Sequence, residues 1–362
     1  MNYRQATIQS TLTLTDDKTD TFNINIQNPI SRMILQLRGT NQDSVPDGHP
    51  AKAITKIELV DGSDVIYSMS AEEAQATDFY DTGHTPLNVV SFVNANVWTC
   101  LVNMNFGRFL YDTQLALDPK KFKNLQLKIT HKVGNTAGSG TTNTTSTLAI
   151  YADVFDEKSV SPSGFLMNKE IKAYVIGSDN SFEYTDLPTD YPIRRMMIQT
   201  LEAGSDVTSV IKELRLSEDN DKRIPFDISI SAHLKNVAPR YGKWSEPVVC
   251  GLTTGNVNHY TAVDYEFTMG CIATVDSDKT IQLNAYPLGG RFNITAEAAT
   301  EAIVHVEGYA PHGCVPFFTG MADDIQDWYD VRKVGSLVVR LKAGSLGGTA
   351  TAKIILQQYR TY

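Results

Sequence analysis

The chain carries Ile30-Ser31-Arg32-Met33-Ile34-Leu35-Gln36 near its start and repeats it in altered form as Ile193-Arg194-Arg195-Met196-Met197-Ile198-Gln199. Four of the seven positions are identical, and the other three exchange Ser for Arg, Ile for Met and Leu for Ile. A proline stands directly before each copy, Pro29 in one case and Pro192 in the other. A repeated segment of this kind indicates that the chain contains two related structural units.

Apolar and polar residues alternate around both copies, which is the pattern of β-strands with one buried face. Such runs are Phe22–Ile26, Met33–Leu37, Ile57–Leu59, Leu125–Ile129, Leu148–Val154, Leu214–Leu216, Val263–Met269, Ile281–Leu283 and Leu337–Leu341. Helical spacing is scarce, and it predicts one short helix over Ser70–Tyr80 and a turn through Met321, Ile325 and Trp328. Many short strands joined by glycine-rich turns predict an all-β fold built from sandwiches or barrels.

The two units also end alike, which supports a tandem duplication. In each unit a short helical turn precedes two strand-like runs joined by a loop, and we expect each pair of runs to form a hairpin. The runs are 125–129 with 147–155, and 337–341 with 351–359. Asp118-Pro119 opens the first turn, because Asp suits the N-cap and Pro suits the first helical position. Ile325 and Trp328 build the second turn.

A duplicated chain of 362 residues divides into two domains of ordinary size. We expect the first sandwich over 1–160, ending at the segment Ser159–Gly164, which is rich in Ser and Pro. A connector over 161–180 follows. The second sandwich is expected over 181–362, with a larger insertion around 241–320 that adds strands or a protruding loop.

The charge of the chain restricts its partners. It has 32 Lys and Arg against 41 Asp and Glu, a net charge of −9, and its densest basic cluster is only Lys120, Lys121 and Lys123. Direct sequence-specific binding of nucleic acid is therefore not expected, because a surface that neutralises phosphates needs a basic stripe. The cysteines lack the spacing of a metal site, and we expect buried free thiols. They are Cys100, Cys250, Cys271 and Cys314.

Four further features carry a resemblance to a known family. They are the strand and turn Ile57–Ser63 leading into a helix over 71–76, Phe106-Gly107-Arg108 followed by Phe122–Leu127, the segment Glu183–Pro188 before the second heptapeptide, and a final hairpin at the C-terminus. With the duplication, the chain resembles the double jelly-roll major capsid proteins of tailless, membrane-containing phages, the PRD1-like lineage, and within it the corticovirus type. The resemblance implies two tandem eight-stranded jelly rolls with short helices in their loops.

The same resemblance implies a structural role in a virion capsid. Members of the family form homotrimers that act as pseudo-hexameric capsomers in an icosahedral shell. Two similar units in each of three chains make six similar corners, so a three-fold object can tile like a hexamer. The implied partners are neighbouring capsomers, minor capsid proteins and vertex proteins. An internal lipid membrane is expected to face the polar N-terminal segment Met1–Lys18.

The start of the sequence lacks the apolar region of a secretory signal. No stretch approaches the ~18 uninterrupted apolar residues of a membrane span. An acidic chain with these properties is expected to assemble in the host cytoplasm.

Two pairs of residues are weak candidates for metal ligands. His305 and His312 stand near Cys314, but their spacing is not that of a zinc site. Asp219 and Asp221 lie in an acidic turn that lacks the glycine and the closing Glu of a calcium loop. We therefore expect no catalytic residue, no cofactor and no dedicated metal site, and a structural Ca²⁺ at the acidic turn is the alternative left open.

Two other functions share the β-sandwich. The first is a phage spike or a carbohydrate- or receptor-binding protein, which would show exposed aromatic residues, whereas we expect Trp98, Trp244 and Trp328 in the core. The second is an enzyme such as an amidase or a glycosidase, which would need acidic residues that converge in a cleft between the halves. The sequence contains neither a Gly-x-Ser-x-Gly elbow nor a P-loop, so we do not expect an enzyme.

Overall fold

The computed structural model describes residues 1–14, 17–41, 47–136, 146–274, 279–284, 289–346 and 350–362. The first half contributes nine strands within these ranges. They are β1 (Tyr3–Thr13), β2 (Lys18–Asn23), β3 (Ile30–Thr40), β4 (Ile54–Asp61), β5 (Asp64–Met69), β6 (Val90–Phe92), β7 (Val97–Asn105), β8 (Leu125–His131) and β9 (Thr147–Phe155).

The second half contributes the remaining strands. They are β10 (Gly164–Val175), β11 (Phe182–Asp186), β12 (Ile193–Gln199), β13 (Ile211–Glu218), β14 (Arg223–Ser229), β15 (Trp244–Leu252), β16 (Gly255–Tyr260), β17 (Tyr265–Thr274), β18 (Ile281–Asn284), β19 (Arg291–Ala296), β20 (Thr300–Tyr309), β21 (Cys314–Phe318), β22 (Leu337–Ala343) and β23 (Thr351–Thr361). The described α-helices are α1 (Ala71–Thr82), α2 (Val207–Val210) and α3 (Ile230–Tyr241).

Eight strands of each half form a sandwich of two four-stranded sheets. In the first half the sheet orders are β1-β9-β3-β7 and β2-β8-β4-β5, and in the second half they are β10-β23-β12-β21 and β11-β22-β13-β14. When the eight strands of either half are numbered along the chain, both halves have the orders 1-8-3-6 and 2-7-4-5. This is the strand order of a jelly roll. The prediction of two tandem eight-stranded jelly rolls is therefore confirmed.

The two heptapeptides occupy the same place in the two sandwiches, since they lie in β3 and β12, the third strand of each half. Met33 and Leu35 are buried in the core of the first half, and Met196 and Ile198 are buried in the core of the second. The tandem repeat in the sequence therefore corresponds to a repeat in the topology.

The hairpins predicted at the end of each half are wrong. β8 and β9 lie in opposite sheets of the first sandwich, and β22 and β23 lie in opposite sheets of the second. Period-two alternation shows that one face of a strand is buried, but it does not show which sheet the strand joins.

Residues 164–175, which fall inside the predicted connector, form strand β10. This strand pairs along its length with β23, and Lys169 also pairs in parallel with Ser68 of β5. β10 is thus the first strand of the second jelly roll. The contact between β5 and β10 merges one sheet of each half into a single eight-stranded sheet.

The helix predicted over Ser70–Tyr80 is confirmed as α1. The Ser70 hydroxyl accepts a hydrogen bond from the Glu73 backbone N–H, and the Glu73 carboxylate accepts one from the Ser70 N–H. This reciprocal capping box fixes the start of the helix. Gly83 ends it in a left-handed conformation that only glycine adopts without cost.

The two predicted helical turns are single 3-10 turns. Asp118 caps the turn Pro119–Lys121 through a hydrogen bond from the Lys120 N–H, as expected for an Asp-Pro start. The second turn covers only Ile325–Asp327, so of the three predicted residues only Ile325 lies in it, while Met321 is outside it and Trp328 is its C-cap. In the described part of the chain, none of the helices has the length and apolar character needed to cross a bilayer.

The second half carries six further strands between α3 and β21. They form the sheets β17-β20-β15-β6 and β16-β19-β18, and β6 joins them from the equivalent loop of the first half. Trp244, Val248 and Val304 of this insertion belong to the same hydrophobic core as Leu35 of the first half. The insertion therefore packs on the first jelly roll although it belongs to the second.

The core contains most of the residues expected there. All three tryptophans are buried, as predicted. Three of the cysteines are buried free thiols, but Cys271 is exposed on β17, so the prediction fails for this residue. β17 is an edge strand of its sheet, and its last five residues, 270–274, are all exposed.

Replacement of Leu35 by alanine tests the register of β3. The side chain is fully buried, so Leu35→Ala should lower the free energy of unfolding by about 2–5 kcal/mol, because it leaves a cavity. Arg38→Ala on the exposed side of the same strand should change it by less than about 0.5 kcal/mol. Urea denaturation measures both values. Equal effects of the two substitutions would contradict the register.

Candidate functional site

Buried charged side chains lie where the two jelly rolls meet, and α1 is at their centre. One side of this helix packs on the first half, where Phe79 joins the core and Asp78 accepts hydrogen bonds from Asn103 (2.8 Å) and Asn105 (2.6 Å) of β7. Burial raises the pKa of Asp78 to about 6 although these amides favour its charged form. The other side of α1 faces the second half.

Asp81 in the last turn of α1 is the main polar contact between the halves. Its side chain is 1% exposed. It accepts hydrogen bonds from Nη1 of Arg194 at 2.5 Å and from Nε2 of Gln357 at 3.1 Å, and Nη1 of Arg195 lies 2.9 Å away. Burial alone would raise the pKa of Asp81, but the charges of Arg195 and Arg194 lower it below its ordinary value. Asp81 is therefore a carboxylate held between two cations.

Both guanidinium groups have further partners. Arg194 lies over the ring of Trp328 at 5.8 Å. Arg195 lies between the rings of Tyr80 and Phe318, at 5.9 and 5.6 Å from their centres. Cation–π contacts of this kind partly replace the water that the cations lose on burial. The site thus consists of two cations and one anion in an aromatic surrounding.

Three more hydrogen bonds connect α1 to the second half along its length. They join Lys353 to Glu73 (2.5 Å), the Tyr80 hydroxyl to the carbonyl of Cys314 (2.8 Å), and His312 to Gln75 (2.9 Å). Glu73 is fully buried and also caps the helix. The cap that starts α1 is therefore part of the contact that orients the second jelly roll.

A pocket of about 200 Å³ opens beside this contact. Residues of the first half, the second half and the insertion line it, and they include His49, Lys52, Glu72, Gln199, Gly290, His312 and Lys353. The rings of His49 and His312 lie 5.0 Å apart. Within the residues that the structure describes, no group of three or more His, Cys, Asp or Glu side chains is arranged to hold a metal ion.

Glu246 of β15 is buried and contacts two residues that line this pocket, His49 and Thr261. Its carboxylate accepts hydrogen bonds from the Thr261 hydroxyl (2.6 Å) and from the Ala262 N–H (2.7 Å), and it lies 3.4 Å from Nε2 of His49. Burial opposes its ionisation, but His49 and the two donors lower the pKa of Glu246 to about 2. This carboxylate ties the insertion to the first half.

The acidic turn predicted as a weak metal candidate has protein partners for both carboxylates. Asp219 accepts hydrogen bonds from the N–H groups of Gly335 and Ser336, each at 2.9 Å. Asp221 lies 2.7 Å from Arg215. These donors bind Oδ1 of Asp219 and Oδ2 of Asp221.

The two candidate histidines have different surroundings. His305 lies on β20, and its Nε2 is 3.1 Å from the Ser245 hydroxyl. His312 is buried at the junction against Gln75. Neither forms a metal-ligand group with Cys314, which is fully buried.

The sequence did not single out the acidic residues of the junction. Asp81 and Glu246 carry no motif that distinguishes them from the other acidic residues, and the capping-box spacing of Glu73 from Ser70 indicates only the start of a helix. One signal was present, because Ser31 of the first heptapeptide is replaced by Arg194 in the second. A charged residue at the start of an otherwise matching apolar strand indicates a partner that the other half lacks.

No family model and no curated protein sequence matches the chain. Solved structures do match it. The major capsid protein of the Sulfolobus turreted icosahedral virus is similar with a TM-score of 0.61 and 11% identity over 99% of this chain and 97% of that chain. The major capsid protein of bacteriophage PM2 has a TM-score of 0.57 and 9% identity, with coverage of 99% and 98%. The capsid protein of the virus PBCV-1 has a TM-score of 0.56 and 11% identity, with coverage of 99% of this chain and 94% of that chain.

At sequence identities of 9–11%, the similarity shows a shared fold and no more. These capsid proteins are double jelly rolls. The resemblance stated from the sequence is therefore confirmed at the level of the fold, and it extends over nearly the full length of this chain and of the matched chains.

Removal of the Asp81 charge tests the polar contact between the halves. Asp81→Asn keeps the size of the side chain but leaves two buried arginines without their anion. It should lower the free energy of unfolding at pH 7 by about 3–5 kcal/mol. The control Asp179→Asn breaks an exposed pair with Lys212 and should cost less than about 1 kcal/mol. Equally small losses in urea denaturation would contradict the assigned role.

The pKa of Glu246 gives a prediction for acid stability. Because its pKa is about 2 in the folded chain and 4.5 is its ordinary value, the unfolded chain binds more protons between these pH values. Stability should therefore fall as the pH decreases from about 4.5 to 2. Glu246→Gln should remove roughly 3 kcal/mol of this loss. Urea unfolding at several pH values measures it, with the exposed Glu297→Gln as control. A variant with the original pH dependence would refute the prediction.

Proposed function

We propose that this chain is a viral major capsid protein, a structural component of a virion capsid rather than an enzyme. The observation that carries the proposal is the repeated jelly-roll strand order in both halves, held in one fixed arrangement by a shared sheet and by α1. The likeness in fold to full-length major capsid proteins supports it.

The arrangement of the halves suits a homotrimeric capsomer. Two similar sandwiches side by side give each chain two similar outer corners, so three chains around an axis give six. Such a trimer would pack like a hexamer with neighbouring capsomers in an icosahedral shell. Minor capsid and vertex proteins would fill the positions in the shell that the packed capsomers leave open. The net charge of −9 supports a shell that does not itself bind the genome.

We further propose an internal membrane on the side of the N-terminal segment Met1–Lys18. Most of this segment is β1, an edge strand paired with β9, so it is not a free arm. A membrane contact would therefore involve the end of the first jelly roll as a whole. Deletion of Met1 and Asn2 alone should leave the fold intact, because both precede the strand.

The buried acidic residues do not favour the enzyme alternative. A glycosidase or an amidase would need acidic residues open to a cleft between the halves. Here α1 lies between the halves, and Glu73, Asp81 and Glu246 are held by cations or hydrogen-bond donors. These partners favour a role in holding the halves together over a role in acid–base catalysis.

Electron cryomicroscopy of particles from the native source tests the proposal. Purified particles should be icosahedral shells in which mass spectrometry identifies this chain as the main protein, arranged in trimeric capsomers. A chain that stays monomeric under all assembly conditions and hydrolyses a glycan or an amide would overturn it.

A further inference from the structure

α3 is the counterpart of α1 in the second jelly roll. Each helix follows the fifth strand of its half and precedes the sixth. Each has 12 residues, begins after a serine cap, Ser70 or Ser229, and ends at a glycine, Gly83 or Gly242. The two helices can therefore be matched position by position.

The side of α1 that contacts the second half has an exposed equivalent in α3. Four buried residues at helical spacing form the contact side of α1: Glu73, Thr77, Tyr80 and Asp81. The matched residues of α3 are Ala232, Asn236, Pro239 and Arg240, and all four are exposed. We name them the α3 stripe. The first jelly roll uses this side of its helix to bind the next jelly roll, whereas the second leaves it open.

The surface that receives α1 also has a more open equivalent. It is the outer side of β12 and β23, where Arg195 lies opposite Gln357. In the first half Arg32 lies opposite Asp153 at the same register of β3 and β9. The Arg195 side chain is 2% exposed, but that of Arg32 is 27% exposed. We name the outer side of these two strands the β3–β9 face.

The charges of the matched helix and sheet residues differ together from those at the junction. At the junction, Asp81 on the helix meets Arg194, Arg195 and Gln357 on the sheet. The matched set is Arg240 on the helix with Ser31, Arg32 and Asp153 on the sheet. Both sets contain two cations and one carboxylate, but the carboxylate has moved from the helix to the sheet.

A second ion pair of the junction also differs at both of its matched positions. Glu73 on α1 binds Lys353 on β23. The matched residues are Ala232 on α3 and Ala149 on β9, which lies opposite Gln36 as Lys353 lies opposite Gln199. The α3 stripe therefore lacks the negative charge of Glu73, and the β3–β9 face lacks the positive charge of Lys353. The α3 stripe is exposed, whereas on the sheet Arg32 is partly exposed and pairs with the buried Asp153. The matched helix and sheet residues thus remain complementary in charge.

We propose that the α3 stripe binds the β3–β9 face of a second copy of this chain, in the way α1 binds the second half of its own chain. This inference rests on the proposed function, since it specifies the contact between chains of the capsomer. The contact joins different surfaces of two copies, and such a contact forms a closed ring when the rotation between copies is 120° for three chains. Around three chains, internal and intermolecular contacts of the same kind would alternate.

A charge reversal on the α3 stripe tests the contact. Arg240→Asp places a carboxylate against Asp153 and should weaken the association of copies at least about tenfold. Sedimentation across a dilution series of the full chain measures the change. The control Lys279→Asp makes the same change in charge at an exposed site of the insertion and should leave the association unaltered.

A triple variant provides the rescue. Ser31→Arg with Asp153→Gln and Arg240→Asp rebuilds, between copies, the side chains that meet at the junction within the chain. It should associate as the wild type does. If Arg240→Asp alone associates normally, or if a folded triple variant fails to recover, the contact is wrong, while shells of the wild type would still support the proposed function. A wild type that forms neither trimers nor shells would overturn both.

Discussion

The carboxylate of Asp81, buried between Arg194 and Arg195, is the constraint on which the arrangement of the two jelly rolls depends. Apolar contacts beside it supply much of the attraction, because Met197 and Ile355 of the second half are buried in the core of the first. Such contacts tolerate small sliding movements. A buried ion pair does not, since each charge left without its partner costs several kcal/mol. The charged group thus fixes the relative position of two halves that apolar packing holds together.

The other parts of the structure follow from this arrangement. With the halves fixed, β5 and β10 lie side by side and one sheet runs through both sandwiches. The insertion of the second half can then pack into the core of the first half, where Glu246 holds it in place. The proposed role in a shell would require this kind of rigidity, because errors in the angle between the halves would add up over many capsomers.

The sequence predicted those features of the fold that depend on local patterns of residues. Two related β-sandwich halves, α1 and the turn at Asp118 follow from alternation, repetition and capping residues, and the jelly-roll topology follows from the family resemblance. The pairing of the strands could not be predicted from the sequence, because a strand shows the same alternation in either sheet of a sandwich. The sequence predicts a connector where β10 lies, because the consecutive apolar residues Phe165, Leu166 and Met167 show no alternation. All three are buried, as in a strand whose sheet is covered on both sides. The pairing of Asp81 with Arg194, 113 residues away, leaves no local pattern at all.

Thermal unfolding of the unassembled chain tests the central claim, that the two jelly rolls form one body. The account predicts a single calorimetric transition whose calorimetric and van't Hoff enthalpies agree. Hydrogen exchange should then show that the cores of both halves open together, including β3 in the first and β12 in the second. Two separate transitions, with one jelly roll still protected after the other has unfolded, would contradict it.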